Sequence, residues 1–481
     1  MSAEVLQWDL CTAAQRIKDR EISSEELTRQ ALQRARELQG RFNSFITLDE
    51  EALEAARKAD LAVARGAPLG PLHGVPLAHK DMFYRKGKVS TGGSRLLEHR
   101  RATVTATVVT RLEAAGAIWM GGLNMSEFAA NPTGQNESYG DCRNAWDEHR
   151  ISGGSSSGSG VALALRLCFG SLGSDTGGSV RLPAALNGVV GLRPTYGRVS
   201  RYGMLPRTWS MDTAGPITRT ARDCARLLGV IAGADPQDAT ASLREVPAYE
   251  SCLTGDLSGL RIGIPVNYFY DRVSQAVRTA MEQSLAILKN CGAELIEVQV
   301  PDPASLYQIG NLISQVEAAA IHGNLVREFG DRYPLVLKTR MESGFYVPAV
   351  DYLNAQTSRS RLTTEFVEAV FSQVDVLHTP VLGMTAPRIE DMSPKRSAEV
   401  FPILAQMARN TRPISTLGLP ALSVPAGFSG EGLPIAFQLV GRPFAEGLLL
   451  KVADAYQRLT NWHLDQPQPI PTDAGPDAAL H

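Results

Sequence analysis

Histidine is thinly spread in this chain, and its scatter excludes one common kind of hydrolase. The eight histidines (His73, His79, His99, His149, His322, His378, His463 and His481) form no pattern around any serine-rich motif, so a Ser-His-Asp arrangement has no candidate base. Cysteine is equally sparse: Cys11, Cys142, Cys168, Cys224, Cys252 and Cys291 include no C-x-x-C pair and no cluster. That argues against zinc ribbons, redox pairs and a disulfide framework, and the six read as buried thiols of a cytoplasmic protein. Positive charge is not in excess either. With a formal net charge of −2 and no dense Lys/Arg block, no nucleic-acid partner is expected. No apolar run approaches the about 20 residues that cross a bilayer, and the most apolar stretch, VALALRLCFG, is broken by Arg166. Glu4 and Asp9 stand where a secretion signal requires positive charge followed by unbroken apolar residues. Neither a membrane nor export is expected.

What remains is an ordinary globular composition, 44% hydrophobic and 20% charged over 481 residues. A single core usually stops growing at about 250–300 residues unless one large sheet organises it. Ser23 reads as the N-cap of a helix running to about Leu38, with Glu26 completing a capping box and Ile22 positioned to staple Leu27. A second helical stretch, about 49–64, ends at Gly66. An all-helical opening over residues 1–65 is therefore expected to pack outside the rest.

From Gly70 onward, short apolar runs alternate with helical periods, as in a sheet with crossover helices. LRIGIPV (260–266), a helix over about 273–290 and AELIEVQV (293–300) form a candidate βαβ unit. VDVLHTPV (374–381), PALSVPAGF (420–428) and PIAFQLVGR (434–442) add strands, and 445–459 adds a last helix. Residues 302–372 carry helical periods but few strand signals and read as a helical cap inserted between strands. The Pro- and Asp-rich residues 466–481 read as a loose tail.

Two glycine- and serine-rich stretches stand out, ISGGSSSGSG (151–160) and GSDTGGS (173–179). A phosphate-binding loop needs G-x-x-x-x-G-K-[ST] or G-x-G-x-x-G after a strand, and neither spacing is met. Two readings stay open: capped turns in which glycine supplies unusual dihedrals, or a nucleophile beside an oxyanion hole. In the second, Ser179 is the nucleophile, and the backbone N–H groups of Thr176, Gly177, Gly178 and Ser179 converge on one concavity. Lys80, closing the apolar run GVPLAHK, is a candidate base if burial makes its amine neutral; otherwise it is a surface lysine at a strand end.

GVPLAHKD (74–81), GGSSSGSG (153–160) and GSDTGGSVRLPAA (173–185), taken in order, resemble the amidase signature family of Ser-Ser-Lys hydrolases. GVVGLRPTYGRVSRYG (188–203) and DTAGPITRTARDCA (212–225) are similar to that family as well. The resemblance implies an α/β fold with a single large mixed β-sheet covered by helices on both faces, over residues 66–465. It implies Ser179 as nucleophile, Ser155 as a bridging serine after a cis Gly154–Ser155 bond, Lys80 as base, and no metal or organic cofactor. It also implies backbone contact from Ala129 to the substrate, while Asp175 and Arg181 brace the loop.

Within the family, MLPRTWSMD (204–212) and TLGLPALSVPAG (416–427) depart from the glutaminase component of the tRNA-dependent amidotransferase, and 342–362 resembles free-standing amidases. The expectation is therefore a stand-alone amidase cleaving a small linear carboxylic amide, with esters and carbamates admitted by the same chemistry. Its expected partner is a small-molecule amide substrate, with a homodimer admitted. The amidotransferase glutaminase is the alternative, and an inactive scaffold the second alternative. Trp209, Met211, Phe345 and Tyr346 are candidates for an apolar wall around an aryl or alkyl substrate, or are ordinary core residues.

Overall fold

A computed structural model describes residues 4–392 and 397–467, so most of the expected tail lies outside the described residues. The expected mixed α/β architecture is present, with eleven strands in two sheets among these residues. In chain order they are β1 (Phe45–Leu48), β2 (Pro76–Lys80), β3 (Ile118–Leu123), β4 (Ser171–Asp175), β5 (Val190–Arg193), β6 (Thr213–Thr218), β7 (Arg261–Pro265), β8 (Glu294–Val298), β9 (Val376–Pro380), β10 (Ala421–Phe428) and β11 (Pro434–Gly441). Eight form one sheet in the order β4-β6-β5-β10-β11-β9-β7-β8. Its β4 to β9 neighbours pair antiparallel, while β9, β7 and β8 are parallel around the expected βαβ unit. No described helix is long and apolar enough to cross a membrane.

The N-terminal region differs from its all-helical expectation. Ser23 does cap its helix, accepting from Glu26 N, but that helix runs Ser24–Phe42 and stops only where Asn43 turns left-handed. Between it and the helix Ala52–Ala64 lies β1, which pairs antiparallel with β3, while β2 pairs parallel with β3 in a second, three-stranded sheet. A four-residue strand is too short to show an alternating pattern, so the opening residues read as helix only.

This small sheet matters because β2 ends at Lys80. Every residue of β2 is buried, and so are all residues of β4, whose end carries Asp175. The helix Ser157–Ala164, buried all round, packs against strands of both sheets and returns the chain from the first glycine-serine stretch to β4 and the second. Residues 302–372 hold the helices Pro303–Phe329, Leu335–Glu342 and Ala349–Phe371. Four cysteines are buried, but Cys252 and Cys291 are partly exposed, against the expectation of six buried thiols.

Candidate active site

The two glycine-serine loops meet. Ser156 N donates to Ser179 O at 3.3 Å, and Ser126 N donates to Ser155 O at 3.1 Å. The Gly154–Ser155 peptide is cis, as the family resemblance implies. Gly154 has no room for a side chain, since a Cβ there would lie 2.6 Å from both Asn131 O and Gly134 N. Its own N–H donates to Pro132 O at 2.6 Å.

Lys80 is no surface lysine. It is fully buried, and its Nζ bonds Ser155 Oγ at 2.6 Å and Ser174 Oγ at 2.9 Å. Burial pushes its pKa down to about 7, opposed only in part by Asp212 and Asp175. At neutral pH a large share of these amines is unprotonated and free to accept a proton. Ser174 is a partner that sequence reasoning missed; a serine in the middle of a strand carries no local signal of function.

Ser179 is the partly exposed residue of a loop that is otherwise buried, and it lines a cavity of about 390 Å³. No hydrogen bond joins Ser155 to Ser179 in this conformation. Of the expected hole residues, Thr176, Gly177 and Ala129 line the same cavity. Gly178 does not supply a free donor, because its N–H is held by Asp175 Oδ1 at 2.9 Å. The N–H groups of Gly177 and Ser179 bond to no acceptor among the described residues. Thr176 anchors the loop differently, donating its hydroxyl to Asp212 Oδ1 at 2.5 Å.

Behind the loop, Asp175 receives Arg181 at 3.0 Å and Arg193 at 3.1 Å, with all three side chains fully buried. Burial alone would raise the Asp175 carboxyl, but the two guanidiniums overcome it and hold the group well below the usual carboxylate range. Asp175 and Arg181 thus brace the loop, as expected, with Arg193 as a third member. None of the four residues expected to form an apolar wall lines the cavity. Met211 is buried elsewhere, and Trp209, Phe345 and Tyr346 face solvent at 50%, 52% and 86% exposure. Leu182, Phe401, Leu404, Ala405 and Ala408 supply apolar lining in their place, and Arg207, Arg340 and Arg412 line the cavity as well.

Comparison with known proteins agrees with this geometry. The family described as Amidase matches residues 26–450. The A component of the glutamyl-tRNA(Gln) amidotransferase of Chloroflexus aurantiacus is 40% identical over 475 residues, covering 93% of this chain and 96% of the relative. Among solved structures, a chain of a vestigial protein complex linked to the origins of an s-triazine catabolic enzyme is 33% identical with TM-score 0.87, covering 94% of this chain and 98% of that one. The peptide amidase of Stenotrophomonas maltophilia is 30% identical with TM-score 0.83, covering 94% and 97%.

These relatives correct two expectations. The same amidotransferase component from different organisms recurs at 38 to 40% identity over nearly the whole chain, which outweighs departures confined to two short motifs and overturns the stand-alone amidase. Because those relatives are each one component of a larger enzyme, a small-molecule substrate and a second copy of this chain are too narrow a set of partners. With the match spanning most of its length, the chain belongs to the amidase family, the hydrolases of C–N bonds that carry the amidase signature.

Proposed function

We propose that this chain is the amide-hydrolysing component of an amidotransferase-type assembly, releasing ammonia from a primary amide. The observation that carries the chemistry is the buried Lys80–Ser155 hydrogen bond, Ser155 being next in the chain to Ser156, whose N–H donates to the carbonyl of the cavity-lining Ser179. The choice of an amidotransferase component over other amidases draws on the relatives of that name.

In this reading neutral Lys80 Nζ takes a proton from Ser155 Oγ as Ser155 takes one from Ser179 Oγ, which attacks the amide carbon. The Ser155–Ser179 link closes when substrate is bound, since catalytic hydrogen bonds are often long in the free enzyme. Oxyanion charge falls on the N–H groups of Gly177 and Ser179, with Gly178 left to its bond with Asp175. The proton returns through Ser155 to the leaving nitrogen, ammonia departs, and water follows the same path to release the acid from Ser179. The substrate is a linear amide, the working compartment is the cytoplasm, and residues 302–372 act as the cap over the α/β domain of 66–465.

The test is ammonia release by the chain purified with the proteins it assembles with, against the same assembly carrying Ser179→Ala. Turnover is expected to fall by at least about a thousandfold. Undiminished turnover in the Ser179→Ala assembly would remove the mechanism. Full activity of the isolated chain, unchanged by any partner, would remove the assembly.

A further inference from the structure

Three guanidiniums reach the cavity wall from distant parts of the chain. Arg207 comes from the segment between β5 and β6, Arg340 from the helix Leu335–Glu342, and Arg412 from the start of the helix Arg412–Leu417. Arg207 Nη1 donates to Ser314 O at 3.3 Å, Arg340 Nη1 donates to Ala130 O, and Arg412 Nε has no partner. Arg412 lies against the nucleophile loop itself: a Cβ on Gly177 would sit 3.0 Å from its Cζ and its Nη2. Tyr307 flanks it, with Cζ 5.9 Å from the ring centroid.

Among the described residues none of the three makes an ion pair, and no Asp or Glu lines the cavity. Asp212 lies behind Arg207, but its oxygens are taken by Thr176 Oγ1 and by the N–H groups of Arg207 and Thr208. Asp175 is saturated by Arg181 and Arg193. Burial and mutual repulsion lower the pKa of Arg207 and Arg340 without neutralising them. Cations held together away from a counter-charge cost stability, and a fold that keeps three beside its nucleophile leaves the counter-charge to a ligand.

We propose that Arg207, Arg340 and Arg412 form an anion subsite that selects amides whose acyl portion bears a carboxylate, half-amides of dicarboxylic acids. Guanidinium groups grip carboxylates through paired, charge-assisted hydrogen bonds. A cavity of about 390 Å³ takes a molecule of this size. Placing the charge on the acyl side rests on the reading above, in which ammonia is the leaving group.

Two measurements test this. In the assembled protein, kcat/KM for glutaramate is expected to exceed that for butyramide by about 10- to 100-fold. In Arg412→Gln or Arg340→Gln that discrimination ratio falls towards one, and Arg412→Lys restores part of it. Separately, calorimetry on the Ser179→Ala protein is expected to show glutarate binding that weakens about tenfold or more when Arg412→Gln is added. Thermal melts establish that each variant is folded.

A wild-type ratio near one, or glutarate binding indifferent to Arg412→Gln, overturns the subsite. The two readings fail separately. Glutarate held by the arginines in a protein that cleaves no amide sinks the hydrolase and leaves the subsite. Butyramide cleaved as fast as glutaramate, still dependent on Ser179, does the reverse.

Discussion

The Thr176–Ser179 loop separates two groups of arginines that the protein treats in opposite ways. Behind it, Arg181 and Arg193 are fully buried, and their guanidiniums are met by Asp175 Oδ1, Gln438 Oε1, Ser415 Oγ and backbone carbonyls. In front of it, Arg207, Arg340 and Arg412 have one carbonyl each or less. A matched charge cluster fixes geometry, here by locking the Gly178 and Val180 N–H groups onto Asp175. An unmatched one stores affinity for something that arrives later. The nucleophile sits where the rigid side meets the receptive side.

The strongest way to break this contrast is Asp175→Ala. It leaves two buried guanidiniums without their shared carboxylate, and losing one partner of a buried pair costs about 3–5 kcal/mol. Urea unfolding is expected to show a loss of that size, and a cost below about 1 kcal/mol would mean that the rear cluster is not the brace of the loop. Lys80→Met comes next, because Lys80 is held by both Ser155 and Ser174 between the two regions. Removing a general base is expected to lower kcat by about 10²- to 10⁴-fold.

For Lys80 the sign of the pH effect is fixed by a folded pKa of about 7 against 10.5 for the free side chain. Activity falls about tenfold per pH unit below about 7, as the amine protonates. Stability moves the same way for a different reason. Between about pH 7 and 10.5 the unfolded chain binds the extra proton, so stability rises with pH, and the full cost of burial is present below 7. Lys80→Met is expected to flatten that slope while leaving the protein folded. A wild-type pH–rate profile with no limb near 7 would detach Lys80 from the base role.

The rear side was partly legible in the sequence, whereas the front was not. GSDTGGSVR and GVPLAHK place Ser179, Asp175, Arg181 and Lys80 within short motifs whose residue types carry chemistry locally. Strands β7 to β11 are rich in aliphatic residues and were equally readable. Strands β4 and β6, SLGSD and TAGPIT, were not, because packing forbids the bulky residues that signal a strand: a Cβ on Gly215 would run into Leu192 O, and one on Gly173 would lie 2.7 Å from Ser156 Oγ. The frontal arginines stand at 207, 340 and 412, each in an undistinguished local pattern, and only the tertiary fold brings them to one wall. The same distance explains why an apolar wall was expected there. Aromatic residues near the motifs were visible, and their orientation outward was not.

Gly177→Ala sharpens the contrast at the point of contact. The added methyl would meet the Arg412 guanidinium at 3.0 Å, and a guanidinium at the end of a long side chain can withdraw. The expected cost in stability is therefore about 1 kcal/mol, while glutaramate selectivity falls as Arg412 leaves the loop. A loss of stability matching that of Asp175→Ala would show the front to be as rigid as the rear.

The smallest effect is the most telling. Arg412→Met removes a partly buried cation that has no carboxylate partner and lies close enough to Arg340 and Arg207 to disfavour their charged forms. Losing its packing and its contact with Tyr307 is unfavourable, and losing the like-charge repulsion is favourable. The two nearly cancel, so the expected change in unfolding free energy is within about 1 kcal/mol of zero. Added glutarate should then stabilise the wild type by an increment that grows with ligand concentration, while the variant gains far less. If Arg412→Met instead destabilises the ligand-free protein by as much as Asp175→Ala, Arg412 is a structural arginine like those behind the loop, and the difference between the two sides disappears.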